Sequence, residues 1–178
     1  KYIHIDIEPE PYGLLETKKE ILSFYEDVLL PLGSLKLSDA CHITRDKARE
    51  AILKHIQICF DTCHMAIEYE NPRECFQDFE NAGIRVGKVQ ISAALRVPFL
   101  IDTDKTKLKE QLQPFADNVY LHQVASRTRD TLFFYPDLPQ ALDEIDKDNA
   151  REWRIHFHVP LFVETYGAFA SSQKYIQE

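Results

Sequence analysis

The apolar run from Ile56 to Phe60 ends on an acid and an imidazole, Asp61 and His64, and it restricts the fold of this chain more than any other stretch. A short, continuous apolar run suits a buried strand. If the strand stops near Asp61 and the chain turns, the carboxylate and the imidazole can face one point in space. Such a pair is a usual start to a divalent-metal site. The plain alternative is that Asp61 caps the following turn and His64 is a hydrogen-bonded loop histidine. What lies at the other strand ends decides between them.

Reading from the start, Tyr2 to Glu8 alternates Ile3, Ile5 and Ile7 with His4, Asp6 and Glu8, the period of a strand, and stops at Pro9 and Pro11. Thr17 and Glu20 form a capping box for a helix expected to end at Gly33, and a second helix is expected from Thr44 to about His55. After the Ile56–Asp61 strand, Asn71, Pro72 and Gly83 punctuate a helix at both ends. A strand over 84–92 follows, then helical spacing over 105–115. Strands over 119–126 and 131–135, joined by the polar turn Arg127–Asp130, read as a hairpin. A short helix from Leu138 to about Ile145 and a strand over Trp153–Val159 come next, and a helix begins near Ser171 or Ser172.

Without the hairpin, the order is strand then helix, repeated. That argues for a parallel sheet with helices on its faces. No G-x-G-x-x-G and no phosphate-binding loop is present, so a nucleotide-binding sheet has no support. The expectation is an α/β fold, a partial (β/α)8 TIM barrel with about four parallel strands and an inserted β-hairpin. A complete barrel takes about 250 residues, so residues 1–178 are expected to be a single domain forming half of one. Its open edges would be the first strand and the Trp153–Val159 strand, a setting for self-association.

In such a barrel the chemistry sits at the C-terminal strand ends. Those ends carry Glu8, then Asp61 with His64, then Gln90, then His156 with His158. All are ligand-type or proton-transferring side chains at one end of the sheet, so a divalent metal site is expected there. Zinc or manganese is the expected ion, with magnesium a further candidate. Glu8 and His156 are the candidate catalytic groups. His122 on the hairpin and Arg127 in its turn are candidate substrate-binding residues, against the alternatives of a cross-hairpin pair and a solvated turn charge.

With 29 acidic and 21 basic residues the net charge is -8, which opposes binding to nucleic acid. No stretch is long and apolar enough to insert in a membrane. Cys41, Cys59, Cys63 and Cys75 form no CxxC pair and read as reduced thiols of a cytoplasmic protein. Cys59 and Cys63 flank the key motif; packing as small buried hydrophobes is the expectation for both, with a soft-metal role as the alternative.

The motif Cys59–His64, with Ile7–Pro11, Gly87–Ser92, Tyr120–Val124 and Trp153–Pro160, resembles the xylose isomerase-like superfamily, and within it the branch of EboE-type metabolite-traffic proteins. The superfamily also holds sugar isomerases, epimerases and type-four apurinic endonucleases. The resemblance implies that barrel strands four to seven are present, with metal ligands falling on Glu8, Asp61, His64, His156 and His158. Gln90 stands where the superfamily usually has His or Asp. It further implies handling of a small cytosolic metabolite destined for the periplasm, with other proteins of a traffic system as partners. Three functions follow as expectations: isomerase- or epimerase-like metal chemistry on a small metabolite, metabolite binding without turnover, and, least favoured by the acidic charge, a metal-dependent phosphodiesterase or endonuclease.

Overall fold

The computed structural model describes residues 2–116 and 120–177. The first strand, β1 (Ile5–Ile7), pairs in parallel with β2 (Ile56–Asp61), and β2 pairs in parallel with β3 (Val86–Gln90). Gly87 in β3 sits under the Asp6 and Gln57 side chains, and a Cβ there would collide with both.

The intervening helices cover one face of this sheet. Helix α1 (Lys18–Ser23) starts at the Thr17–Glu20 capping box, as expected. The helix does not stop at Gly33. It passes through a wider π-helical stretch, Phe24–Leu29, into α2 (Leu30–Cys41), and His42 closes it in a left-handed conformation. Gly33 lies inside α2 where a Cβ would come within 3.0 Å of Ile52, so the glycine serves a close helix–helix approach and not a stop. Helix α3 (Arg45–His55) is capped by Thr44, and α5 (Pro72–Asn81) by Asn71, with Gly83 at φ 72 beyond its end. Ile21, Tyr25, Ile52, Ile58, Phe60, Met65 and Phe79 fill the space between helices and sheet.

The rest of the chain forms a second sheet, six-stranded and antiparallel, in the order β6-β5-β7-β4-β9-β8. Its strands are β4 (Ala93–Pro98), β5 (Val124–Arg127), β6 (Leu132–Tyr135), β7 (Glu152–Val159), β8 (Thr165–Tyr166) and β9 (Phe169–Ser171). Helices α6 (Lys105–Leu112) and α7 (Leu138–Glu144) contribute Leu108, Leu112, Leu138 and Leu142 to a core shared with Leu95, Trp153 and Ile155. Asp148 ties this core together: its Oδ2 accepts from Trp153 Nε1 at 2.8 Å, Ser126 Oγ at 2.7 Å and Tyr135 at 3.3 Å.

This arrangement replaces the expected partial TIM barrel. The sheet does not continue in parallel beyond β3, and neither sheet closes into a barrel among the described residues. The cause is the link from β3 to β4, only Ile91 and Ser92. Two residues can reverse a chain, but a parallel crossover needs a dozen or more. The Ala93–Pro98 segment therefore starts a new sheet and aligns antiparallel to β7, where Arg96 and Arg154 both bond Glu152. The Trp153–Val159 strand, expected as an open edge, is paired on both sides, by β4 and β5. The β5–β6 hairpin forms as expected and joins this sheet rather than standing over a barrel mouth. The expected hairpin strand began at Val119, which lies outside the described residues; β5 starts at Val124, so His122 precedes the hairpin, and Arg127, expected in the turn, pairs with Leu132 within it. No helix among the described residues is long and apolar enough to cross a membrane.

Candidate metal centre

Helix α4 (Thr62–Ile67) joins the two sheets. It leaves the end of β2, and a buried group of Cys63, Ile67, Ala94 and Ala125 packs it on the antiparallel sheet. Arg154 Nη1 on β7 donates to the Ala66 carbonyl at 2.5 Å and fixes the same junction. The C-terminal end of β2 and the C-terminal half of β7 thus meet at the start of α4.

Asp61 occupies the N-cap of α4. Its Oδ1 accepts from the Cys63 amide at 2.7 Å, the His64 amide at 3.4 Å and Ser92 Oγ at 3.0 Å. The capping role weighed for Asp61 is therefore real, and it uses one oxygen. The other, Oδ2, accepts from Gln90 Nε2 at 3.1 Å, and the same Gln90 nitrogen donates to Glu8 Oε1. Gln90 bridges the two carboxylates through an amide nitrogen, which has no lone pair for a metal.

His64 is buried, and its Nδ1 lies 3.0 Å from the Pro9 carbonyl and 3.7 Å from Glu8 Oε1. A carbonyl oxygen only accepts, so Nδ1 carries the proton and the lone pair is on Nε2. On β7, a register shift opposite Ala94 and Leu95 leaves His156 and Phe157 outside the regular pairing. Such bulges re-aim side chains. His156 Nδ1 lies 2.8 Å from Gln123 Oε1, and this bond likewise puts the free lone pair on Nε2. His156 Nε2 is 3.3 Å from His158 Nε2, and the two nitrogens need a proton or a cation between them. The His64 ring stands edge-on to both, at centroid distances of 4.7 Å from His156 and 5.4 Å from His158.

Burial first, then the neighbouring His64 and His158, push the His156 imidazole down to about 3. Burial also lowers His158. Both rings are therefore neutral near pH 7, with lone pairs available for a metal. Two donor triads result. Asp61, His64 and His158 present donor atoms within 4.8 Å of one another, and so do Cys63, His156 and His158. The chemistry of this donor set fits a divalent ion, and the hydrogen bonds that His64 and His156 donate to the Pro9 carbonyl and Gln123 Oε1 hold the imidazoles as outer partners do at metal sites.

Of the expected residues, the structure brings Glu8, Asp61, His64, Gln90, His156 and His158 together. His122 lies beside them, buried and stacked at 5.3 Å on Phe157, with a buried Nδ1 that has no hydrogen-bond partner among the described residues. Arg127 lies elsewhere. It pairs in register with Glu152, at the opposite end of β7, and its guanidinium covers the Tyr69 ring at 4.6 Å. Cys63, for which the sequence favoured packing over ligation, lies with its donor atom near those of His156 and His158; a buried cysteine after a strand reads the same whether it packs or ligates.

Fold and site together define an α/β protein with a histidine-rich candidate metal centre at the junction of two sheets. Compared with protein-family models, curated proteins and solved structures, the chain matches none. The resemblance to the xylose isomerase-like superfamily accordingly rests on its sequence motifs alone.

Proposed function

We propose that this chain binds a divalent metal ion, zinc or manganese, and handles a small oxygen-bearing metabolite there. The substrate class is a polyol, sugar-like or carbonyl compound, and the reaction is isomerase- or epimerase-like. One observation carries the reading: donor atoms of Asp61 and His64, from the β2–α4 junction, and of His158, from β7, lie within 4.8 Å of one another. Three protein donors are the complement of a site that keeps a position open for substrate. A bound divalent ion supplies Lewis acidity to a carbonyl or hydroxyl oxygen. His156, with its Nδ1 tied to Gln123 Oε1 and its Nε2 turned into the cluster, is the group placed to move a proton. Glu8 lies against Gln90 and His64 and orients them. In this reading the protein works in the cytoplasm, and other proteins of a metabolite-traffic system are its partners.

A second reading, binding without turnover, is favoured by Gln90. Its amide holds both Glu8 and Asp61, so the nearest carboxylate is engaged rather than free to act as a base. One experiment separates the readings. The metal-stripped protein is titrated calorimetrically with zinc and manganese, then incubated in deuterated water with candidate polyols and ketoses. Metal-dependent deuterium incorporation at carbon, lost in His156→Ala, supports the enzyme. Metal and metabolite binding without incorporation supports the binder, and absence of metal binding removes both.

A further inference from the structure

The same cluster offers a thiol for which the sequence favoured packing. Cys63 is fully buried, and its Sγ lies within 4.8 Å of donor nitrogens of His156 and His158. The bond that places Asp61 also places Cys63, because the Cys63 amide donates to Asp61 Oδ1 at 2.7 Å. Asp61 and Cys63 are thereby both held close to His158, the histidine common to both triads.

The two triads differ in hardness. Carboxylate with two imidazoles accepts manganese or zinc, whereas thiolate with two imidazoles selects soft ions such as zinc and cobalt. We infer that Cys63 is a metal ligand, and that the cluster holds soft divalent ions at a Cys63–His156–His158 position distinct from the Asp61–His64–His158 position used by manganese. Because His158 serves both, the identity of the ion selects the position. On soft-ion binding the thiol releases one proton to solvent and the thiolate takes the metal bond. In the metal-free chain the thiol packs among Ile67, Ala94 and Ala125. This inference rests on the reading that the cluster binds a divalent ion.

The test is cobalt substitution. Metal-stripped protein loaded with cobalt(II) is expected to show a thiolate-to-cobalt charge-transfer band in the near ultraviolet beside the visible d–d bands. Cys63→Ser removes the near-ultraviolet band and lowers zinc affinity at least about tenfold, while manganese affinity changes less than about twofold. Visible cobalt bands without the charge-transfer band in the wild-type protein overturn the inference and leave the metal site standing. That outcome needs no variant to fold. Equal losses of zinc and manganese in Cys63→Ser also overturn it, and failure of cobalt to bind at all overturns both the inference and the metal reading beneath it.

Discussion

Glu68 makes the stability of this protein depend on pH in a direction opposite to that of most carboxylates. It ends α4, is 8% exposed, and its Oε1 has no hydrogen-bond partner among the described residues. Burial first, and then the charges of Glu16, Glu20 and Glu70, raise its carboxyl from 4.5 to about 8. The folded chain therefore keeps this proton up to about pH 8, while the unfolded chain loses it near pH 4.5. Between those values the folded state binds more protons, so stability falls as pH rises and levels off above about 8. At about 1.4 kcal/mol for each tenfold difference in proton affinity, the ceiling on this loss is roughly 5 kcal/mol. Water entry and rotation of the side chain bring the expected loss to about 2–3 kcal/mol. Glu68→Gln keeps the shape and removes the ionisation. Urea denaturation of both proteins at pH 5 and pH 8.5 reads the effect. The variant is expected to match the wild type at pH 5 and to exceed it by about 2–3 kcal/mol at pH 8.5. Parallel pH profiles for the two proteins would refute the reasoning.

Three other outcomes are expected. Trp153→Ala, which empties a fully buried site and leaves Asp148 Oδ2 short of the indole donor, should cost about 3–5 kcal/mol in chemical denaturation; a loss under about 1 kcal/mol would mean that the core collapses around the gap. Gln123→Leu removes the acceptor that fixes the His156 tautomer and should weaken zinc binding about 10–100-fold by calorimetry, with the fold intact by circular dichroism. In metal-content assays His64→Ala should lose manganese while Cys63→Ala retains it, and Cys63→Ala should lose zinc; identical losses for both ions would argue against two positions.

Local signals were legible in the sequence and long-range ones were not. The Thr17–Glu20 box, the Asn71–Pro72 start and the β5–β6 hairpin all depend on neighbours within a few residues, and each forms, the hairpin with its first strand starting only at Val124 and taking in Arg127. Gly33 misled because the contact that requires a glycine there comes from Ile52, in another helix. The largest miss is the direction of the chain after Gln90. Ala93–Pro98 is apolar enough for a strand of either sense, and only the shortness of the Ile91–Ser92 link shows that it cannot follow β3 as a parallel neighbour in the same sheet. The site was more legible than the fold because Asp61, His64, His156 and His158 are polar groups at strand ends, a pattern that survives a change of topology. What the sequence could not show is how they meet: α4 packs the end of β2 against β7, and that contact is set by Cys63, Ile67, Ala94 and Ala125.

The most direct test of the metal centre is the ion content of the protein itself. The chain is purified, stripped with chelator, dialysed against equimolar zinc and manganese and analysed by inductively coupled plasma mass spectrometry, beside His64→Ala and His158→Ala. The account predicts about one ion per wild-type chain and the greatest loss in His158→Ala, because His158 belongs to both donor triads. A wild-type chain that retains neither metal, or a His158→Ala variant that retains as much as the wild type, would contradict it.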